Sequence, residues 1–244
     1  MAYYFASDVH LGFAAGGDYA ERERRFVAWL RAIEADAEGV FLAGDIFDFW
    51  FEYRRVAPKG FSTVFSQLAH LTARGIPVHF FPGNHDMWTR DFFRRECGMT
   101  VHHDGDFFEL AGKRLYVAHG DRPDDYFLAI IYHAFRSRFL RGAFATFVHP
   151  DWATWFGRRW SGYSRARGAA RHTFGGETEH VVQFAHKILK DTPVDYFVFG
   201  HLHIPAAYAL TPATTLFVLG DWIGPMPVYG RLDPNGTFSL AEYR

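Results

Sequence analysis

Short apolar runs alternate with amphipathic stretches through the first half of this 244-residue chain, and that alternation limits it to an α/β architecture. Tyr3-Tyr4-Phe5-Ala6 reads as a buried strand, and Glu21 to Ala35 then carries Phe26, Trp29, Leu30 and Ile33 at helical spacing. Val40-Phe41-Leu42-Ala43 is the next strand, and Phe61 to Ala73 places Phe61, Val64, Phe65, Leu68 and Leu71 on one helical face. Val78-His79-Phe80-Phe81 and Arg114 to Ala118 follow as strands, so pairing should be largely parallel. From Val194 short strands return with turn-formers such as Asp233-Pro234-Asn235-Gly236 between them, which predicts an antiparallel finish.

Charge marks an interruption. Arg136 to His172 is mostly helical in character, is broken by Gly and Pro, and holds eight Arg against the single acid Asp151. Its formal charge of +7 is offset by −8 elsewhere, so the total of −1 leaves no broad footprint for nucleic acid. With 49% hydrophobic and 22% charged residues, the chain is not a disordered polymer. The lone Cys97 excludes an internal disulfide, and no run approaches the ~18 apolar residues of a membrane span. Met1 to Asp8 lacks a basic stretch ahead of an apolar one, so a cytosolic protein is expected.

Five segments share one layout, an apolar strand ending in polar residues that can bind metal. They are Ser7-Asp8-Val9-His10, Gly44-Asp45-Ile46-Phe47-Asp48, Gly83-Asn84-His85-Asp86, Ala118-His119-Gly120-Asp121 and Gly200-His201-Leu202-His203. Each has an ordinary structural explanation by itself: Asp45 could cap a helix, and Asn84 could tolerate a left-handed turn. Ligands of open α/β sheets bind beyond the carboxyl ends of strands, so five such endings would converge on one rim. Carboxylate, amide oxygen and imidazole together suit Mn²⁺, Fe²⁺ or Zn²⁺. Five of the 14 histidines sit in these endings, while the other nine show no comparable pattern.

The ordered set D-x-H, G-D-x-x-D, G-N-H-D, H-G-D and G-H-x-H resembles the calcineurin-like metallophosphoesterase superfamily, from residue 8 to residue 203. That resemblance implies a four-layer αββα sandwich with a helical cap insertion and two metals at one end. The core would be residues 1–124 and 181–244, and the Arg-rich cap residues 125–180. By position, Asp8, His10 and His203 would hold one metal, Asn84, His119 and His201 the other, and Asp45 would bridge them. Two cations about 3.5–4 Å apart can share a bridging hydroxide and clamp phosphoryl oxygens. His85 has no ligand role in this scheme; it could donate to phosphate or protonate the leaving group, with Asp86 or Asp48 orienting its ring. Apart from that role, Asp48 and Asp86 are expected to support neighbouring ligands, in preference to capping a helix.

Among the superfamily's branches, protein phosphatases usually carry Arg-Gly where Phe49-Trp50-Phe51 stands here. Ser7-Asp8-Val9-His10-Leu11, Gly44-Asp45-Ile46-Phe47-Asp48-Phe49-Trp50, Asp125-Tyr126 and Leu219-Gly220-Asp221-Trp222 are similar to the UDP-2,3-diacylglucosamine hydrolase family of lipid A biosynthesis. Gly83-Asn84-His85-Asp86-Met87-Trp88 is closest to its Bacteroidetes-like branch; the best-known branch has Arg at the His85 position. The resemblance implies hydrolysis to UMP and 2,3-diacylglucosamine 1-phosphate, with Mn²⁺ as the usual metal. The bridging hydroxide would attack the α-phosphorus. Substrate contacts would come from Asn84, His85, His201 and Asp125, with Ser164 and Arg171 matched by spacing alone. Acyl chains would lie among aromatics such as Phe139, Phe147, Trp152 or Trp155, with Phe156 and Trp160 further exposed candidates, and the enzyme would work on the cytoplasmic face of the inner membrane. Alternatively, the insert's aromatics form its own small core. A soluble nucleotide phosphodiesterase, pyrophosphatase or nuclease of the superfamily is the alternative enzyme; a non-catalytic scaffold would be expected to have lost ligands, whereas all seven positions are filled.

Overall fold

Strand alternation decides the layering. The computed structural model describes residues 1–12, 19–121, 137–155, 157 and 173–244. In chain order the elements are β1 (Ala2–Ala6), α1 (Tyr19–Ile33), β2 (Ala37–Leu42), α2 (Ser62–Ala73), β3 (Val78–Phe80), α3 (Phe92–Cys97), β4 (Thr100–Val101), β5 (Asp106–Leu110) and β6 (Lys113–Val117). They continue with α4 (Arg138–Phe147), a 3₁₀ turn (Gly176–Thr178), α5 (His180–Leu189), β7 (Tyr196–Phe199), β8 (Ala206–Thr211), β9 (Thr214–Val218), β10 (Val228–Leu232) and β11 (Phe238–Glu242). One sheet runs β11-β10-β1-β2-β3-β4 and the other β5-β6-β7-β9-β8.

Successive side chains point to opposite faces of a strand, so each sheet has two apolar faces to cover. Tyr4, Ala6, Val40 and Leu42 pack outward against Trp29 and Leu30 of α1 and Val64 and Leu68 of α2. Their neighbours Phe5, Phe41 and Ala43 face inward and meet Leu115, Val117, Val198 and Phe217 of the second sheet. The outer face of that sheet, Tyr116, Phe197, Phe199 and Leu216, takes Val181, Val182 and Ala185 of α5. The result is four layers, helix, sheet, sheet, helix, as the sequence resemblance implies.

The expected helices and strands are present with ends shifted by one to three residues. The antiparallel finish is only partial: β8 pairs antiparallel with β9 and β10 with β11, but β9 runs parallel to β7. The β5–β6 hairpin, which the sequence did not suggest, turns at Ala111-Gly112 with φ of 48° and 72°. Because β1, β2 and β3 run parallel, as do β6, β7 and β9, the five motif segments all leave carboxyl ends. Beyond Asp121, α4 and a helical stretch over residues 150–155 meet the helical expectation where residues are described. Two hydrogen bonds tie this segment to the core, Arg141 Nη1 to the Thr89 carbonyl (3.0 Å) and Tyr53 hydroxyl to the Val148 carbonyl (2.9 Å).

Candidate metal centre

Five of the six non-glycine residues with positive φ among the described residues lie on the converging loops: Asp8 (53°), His10 (49°), Asp45 (51°), His201 (68°) and His203 (58°). A left-handed backbone costs such residues of order 1–3 kcal/mol each. Here it turns their side chains inward at the strand ends. Glycines admit the close approach: a Cβ on Gly83 would lie 2.3 Å from Asp45 Oδ1 and 2.6 Å from His119 Nε2.

The side chains form one cluster. His203 Nε2 is 3.5 Å and His10 Nε2 3.8 Å from Asp8 Oδ1, while His10, His85 and His119 present Nε2 to Asp45 Oδ2 at 3.9, 3.8 and 3.4 Å. Donor atoms of Asp8, His10 and His203 fall within one ligand-sized group, as do those of Asp8, Asp45 and His119, and those of His10, Asp48 and His85. His201 stands with its ring 5.2 Å from that of His119, and its backbone N–H donates to Asp8 Oδ2 at 2.9 Å. Asp125, Ser164 and Arg171 lie outside the described residues, as do Phe156 and Trp160.

Three rings share one orientation, with Nδ1 held by the protein and Nε2 facing the centre. His119 Nδ1 donates to the Ala43 carbonyl (2.8 Å), His85 Nδ1 to the Asp48 carbonyl (2.9 Å), and His203 Nδ1 meets Asp221 Oδ2 (3.2 Å). His10 Nδ1 faces Asp48 Oδ1 at 3.7 Å. Such outer partners fix the tautomer and aim of a metal-binding imidazole. Of the two residues expected to orient His85, Asp48 does so, through its backbone carbonyl rather than its carboxyl, and Asp86 does not. Asp86 is buried and accepts backbone N–H groups of Gly83 (2.7 Å), Ile46 (2.8 Å), Phe47 (3.2 Å) and Asp45 (3.3 Å). Its carboxyl splices the second and third motif loops, which a fully enclosed group does better than a group meeting substrate.

The electrostatics favour a cation at this place. Asp8, Asp45 and Asp86 are buried together, and no Lys or Arg pairs with Asp8 or Asp45 among the described residues. Burial opposes ionisation of Asp45, yet the imidazoles of His119, His85 and His10 hold its carboxyl well below the usual range. Burial and the Asp45 charge push Asp86 up to about 7. Burial, then His119, drives His201 well below the ordinary imidazole value, which leaves it a neutral donor. Asp8 Oδ1, His10 Nε2, Asn84 Oδ1 and His119 Nε2 are enclosed without a hydrogen-bond partner, and unsatisfied buried polar atoms of this kind are costly. Two divalent cations fit this set of carboxylate, amide and imidazole donors.

Sequence reasoning assigned no role to Asp221, although Leu219-Gly220-Asp221-Trp222 leaves β9 with the same strand-end layout as the other five. Packing fixes its turn: Trp222 is fully buried with its ring 5.3 Å from Trp29 of α1. Arg22 was also missed; from α1 its guanidinium donates to the carbonyl of His10 at 2.9 Å.

An apolar groove of about 420 Å³ lies between Phe51 and Trp88 of the core and Leu140, Ala143, Phe144 and Phe147 of α4. A second cavity of about 360 Å³ shares Phe51 and reaches Leu11 and Asp48. Of the aromatics expected to line an acyl groove, only Phe147 does so among the described residues. Phe147 lies at the groove's open edge, 86% exposed, while Phe139, Trp152 and Trp155 do not line it, Phe139 being off the 140-144-147 stripe of α4.

Fold and donor set together define a metal-dependent phosphoester hydrolase. The family model for calcineurin-like phosphoesterases matches residues 1–205, and the chain belongs to that family. It is 38% identical to a protein named UDP-2,3-diacylglucosamine hydrolase from Porphyromonas gingivalis, with 90% of each chain covered. A protein of the same name from Stenotrophomonas maltophilia is 30% identical, over 97% of this chain and 96% of that one. Among solved structures, a dimetal phosphatase from Danio rerio shares the fold with a TM-score of 0.55 at 11% identity, covering 99% of this chain and 95% of that one.

Proposed function

We propose that this chain hydrolyses the pyrophosphate bond of UDP-2,3-diacylglucosamine to UMP and 2,3-diacylglucosamine 1-phosphate. One observation carries the reading: the two loops that bring Asp48 and His85 to the centre also carry Phe51 and Trp88, whose rings, 4.9 Å apart, wall an apolar groove. An apolar groove of about 420 Å³ offers acyl chains a place to lie. The relatives' shared name supports the same substrate.

Asp8, His10 and His203 would hold one cation and Asn84, His119 and His201 the other, with Asp45 common to both. Two bound divalent ions, Mn²⁺ in this proposal, supply Lewis-acid charge that draws in the phosphoryl oxygens and offsets the negative charge growing in the transition state. His85 directs Nε2 at the same centre while its Nδ1 proton is committed to the Asp48 carbonyl, so donation to a phosphoryl oxygen or the departing phosphate would come from the doubly protonated ring, with the second proton on Nε2. Asp86 and Asp48 hold the loops and rings in place. Residues 125–180 would form the cap, with Asp125, Ser164 and Arg171 reaching the head group, and the acyl chains would lie along α4.

The +7 segment and the outward Phe139 and Trp152 support peripheral attachment to the anionic cytoplasmic face of the inner membrane. Vesicle flotation at low salt tests attachment, and complete absence of binding would refute it. Comparing kcat/KM on UDP-2,3-diacylglucosamine and UDP-glucosamine tests the substrate. Equal values would refute the lipid reading in favour of a soluble nucleotide pyrophosphatase.

A further inference from the structure

Glu52 lies just beyond the second metal motif, is only 4% exposed, and took no part in the sequence argument. Its carboxylate crosses to the third motif loop and accepts the backbone N–H groups of Arg90 (2.6 Å), Asp91 (2.9 Å) and Phe92 (3.1 Å). Burial pushes the carboxyl up from its ordinary value, and these three amides oppose that shift. Around it the two loops pair as a short ribbon. Trp50 N–H donates to the His85 carbonyl (3.0 Å), Glu52 N–H donates to the Trp88 carbonyl (2.9 Å), and Phe51 and Trp88 form a parallel bridge.

This ribbon has work at both ends. At one end are Asp48, Asn84 and His85, which face the phosphoester centre; at the other, Phe51 and Trp88 wall the apolar groove. The α4 helix hangs on the same ribbon through Arg141 and the Thr89 carbonyl. A displacement of the groove wall therefore passes directly to His85, unless the ribbon shears. We propose that Glu52 is a positioning residue that couples filling of the apolar groove to the placement of His85 and Asn84. The inference rests on the acylated substrate proposed above. Binding energy from chains far from the reacting phosphorus would then be expressed in kcat, as orientation at the centre.

The test compares Glu52→Gln and Glu52→Asp with the native protein on UDP-2,3-diacylglucosamine and on bis(p-nitrophenyl) phosphate, which has no chain to fill the groove. Glu52→Gln should lower the ratio of the two kcat/KM values about tenfold, mostly through kcat on the acylated substrate, with Glu52→Asp intermediate. Amide hydrogen exchange at Arg90 to Phe92 should quicken in Glu52→Gln. Equal losses on both substrates would show a carboxylate of general structural use and overturn the coupling, and so would an unchanged ratio or unchanged exchange. Should the amide variant not fold, Glu52→Asp, which keeps the charge but withdraws it by one methylene, carries the same comparison. A native protein with no preference for the acylated substrate sinks the functional reading and the coupling with it. A native preference that survives in Glu52→Gln sinks the coupling alone.

Discussion

Substituting Gly83 by Ala tests the centre with a single methyl group. The added Cβ would stand 2.3 Å from Asp45 Oδ1 and 2.6 Å from His119 Nε2. Ordinary contact begins near 3.4 Å, so Asp45 or the Gly83 backbone must give by roughly 1 Å. Asp45 cannot move freely, because its Oδ1 accepts the His85 N–H at 2.9 Å and its Oδ2 faces three imidazoles. A misplacement of about 1 Å at a reacting centre costs about 100-fold in rate. Loss of aim at metal-holding groups costs a further 10–100-fold in metal affinity. Gly83→Ala should therefore show kcat down about 100-fold and weakened Mn²⁺ binding by calorimetry, with about 1–3 kcal/mol of stability lost in the metal-free protein to the same clash. Gly142→Ala is the control: a Cβ there meets nothing within 4 Å, and Ala should stabilise the middle of α4 by about 0.5–1 kcal/mol. A Gly83→Ala protein with native kcat and native metal binding would refute the idea that Asp45 and His119 work as a rigid pair.

Asp221→Asn removes the carboxylate beside His203 Nδ1 and should weaken metal binding about 10- to 100-fold by titration, with the fold retained. Chelation should lower the unfolding temperature, and Mn²⁺ at about 100 times its dissociation constant should restore about 2.7 kcal/mol; a temperature indifferent to metal would contradict binding at a folded-state centre. Burial and His102 lower His79 to about 4, so below about pH 6.5 the unfolded chain takes a proton that the folded one refuses. Stability should therefore fall as pH drops from about 6.5 towards 4, by about 1 kcal/mol once solvent screening at this partly exposed ring is allowed for. His79→Phe, which keeps the stack on Phe41, should gain on the native protein between pH 7.5 and pH 5 in denaturant titrations, and a constant difference would refute this account.

Local chemistry made much of the site legible. A strand reads as a strand from its own residues, and Gly44-Asp45 or Gly83-Asn84 announces a turn with donors on it. Hence the four- and five-residue stretches around Asp8, Asp45, Asn84, His119 and His201 were visible in the sequence. Glu52 and Arg22 were not, because nothing in Phe51-Glu52-Tyr53 or Glu21-Arg22-Glu23 separates a buried carboxylate or guanidinium from a solvated one. The acyl groove was half read: an aromatic helix was evident, but which of Phe139, Phe144 and Phe147 turns inward depends on where α4 docks.

The sequence by itself determined the alternation of strands and helices, the inward and outward sets of residues, and the donors available at each strand end, because these follow from side-chain period and residue type within a few positions. Tertiary structure alone decided which nitrogen of each imidazole faces the centre, and it set Asp86 to splice two loops rather than to aim His85. It also brought Asp221 against His203 and Glu52 against a turn 38 to 40 residues away. Those outcomes depend on angstrom-scale separations between distant segments, which the packing of two sheets and their helices sets.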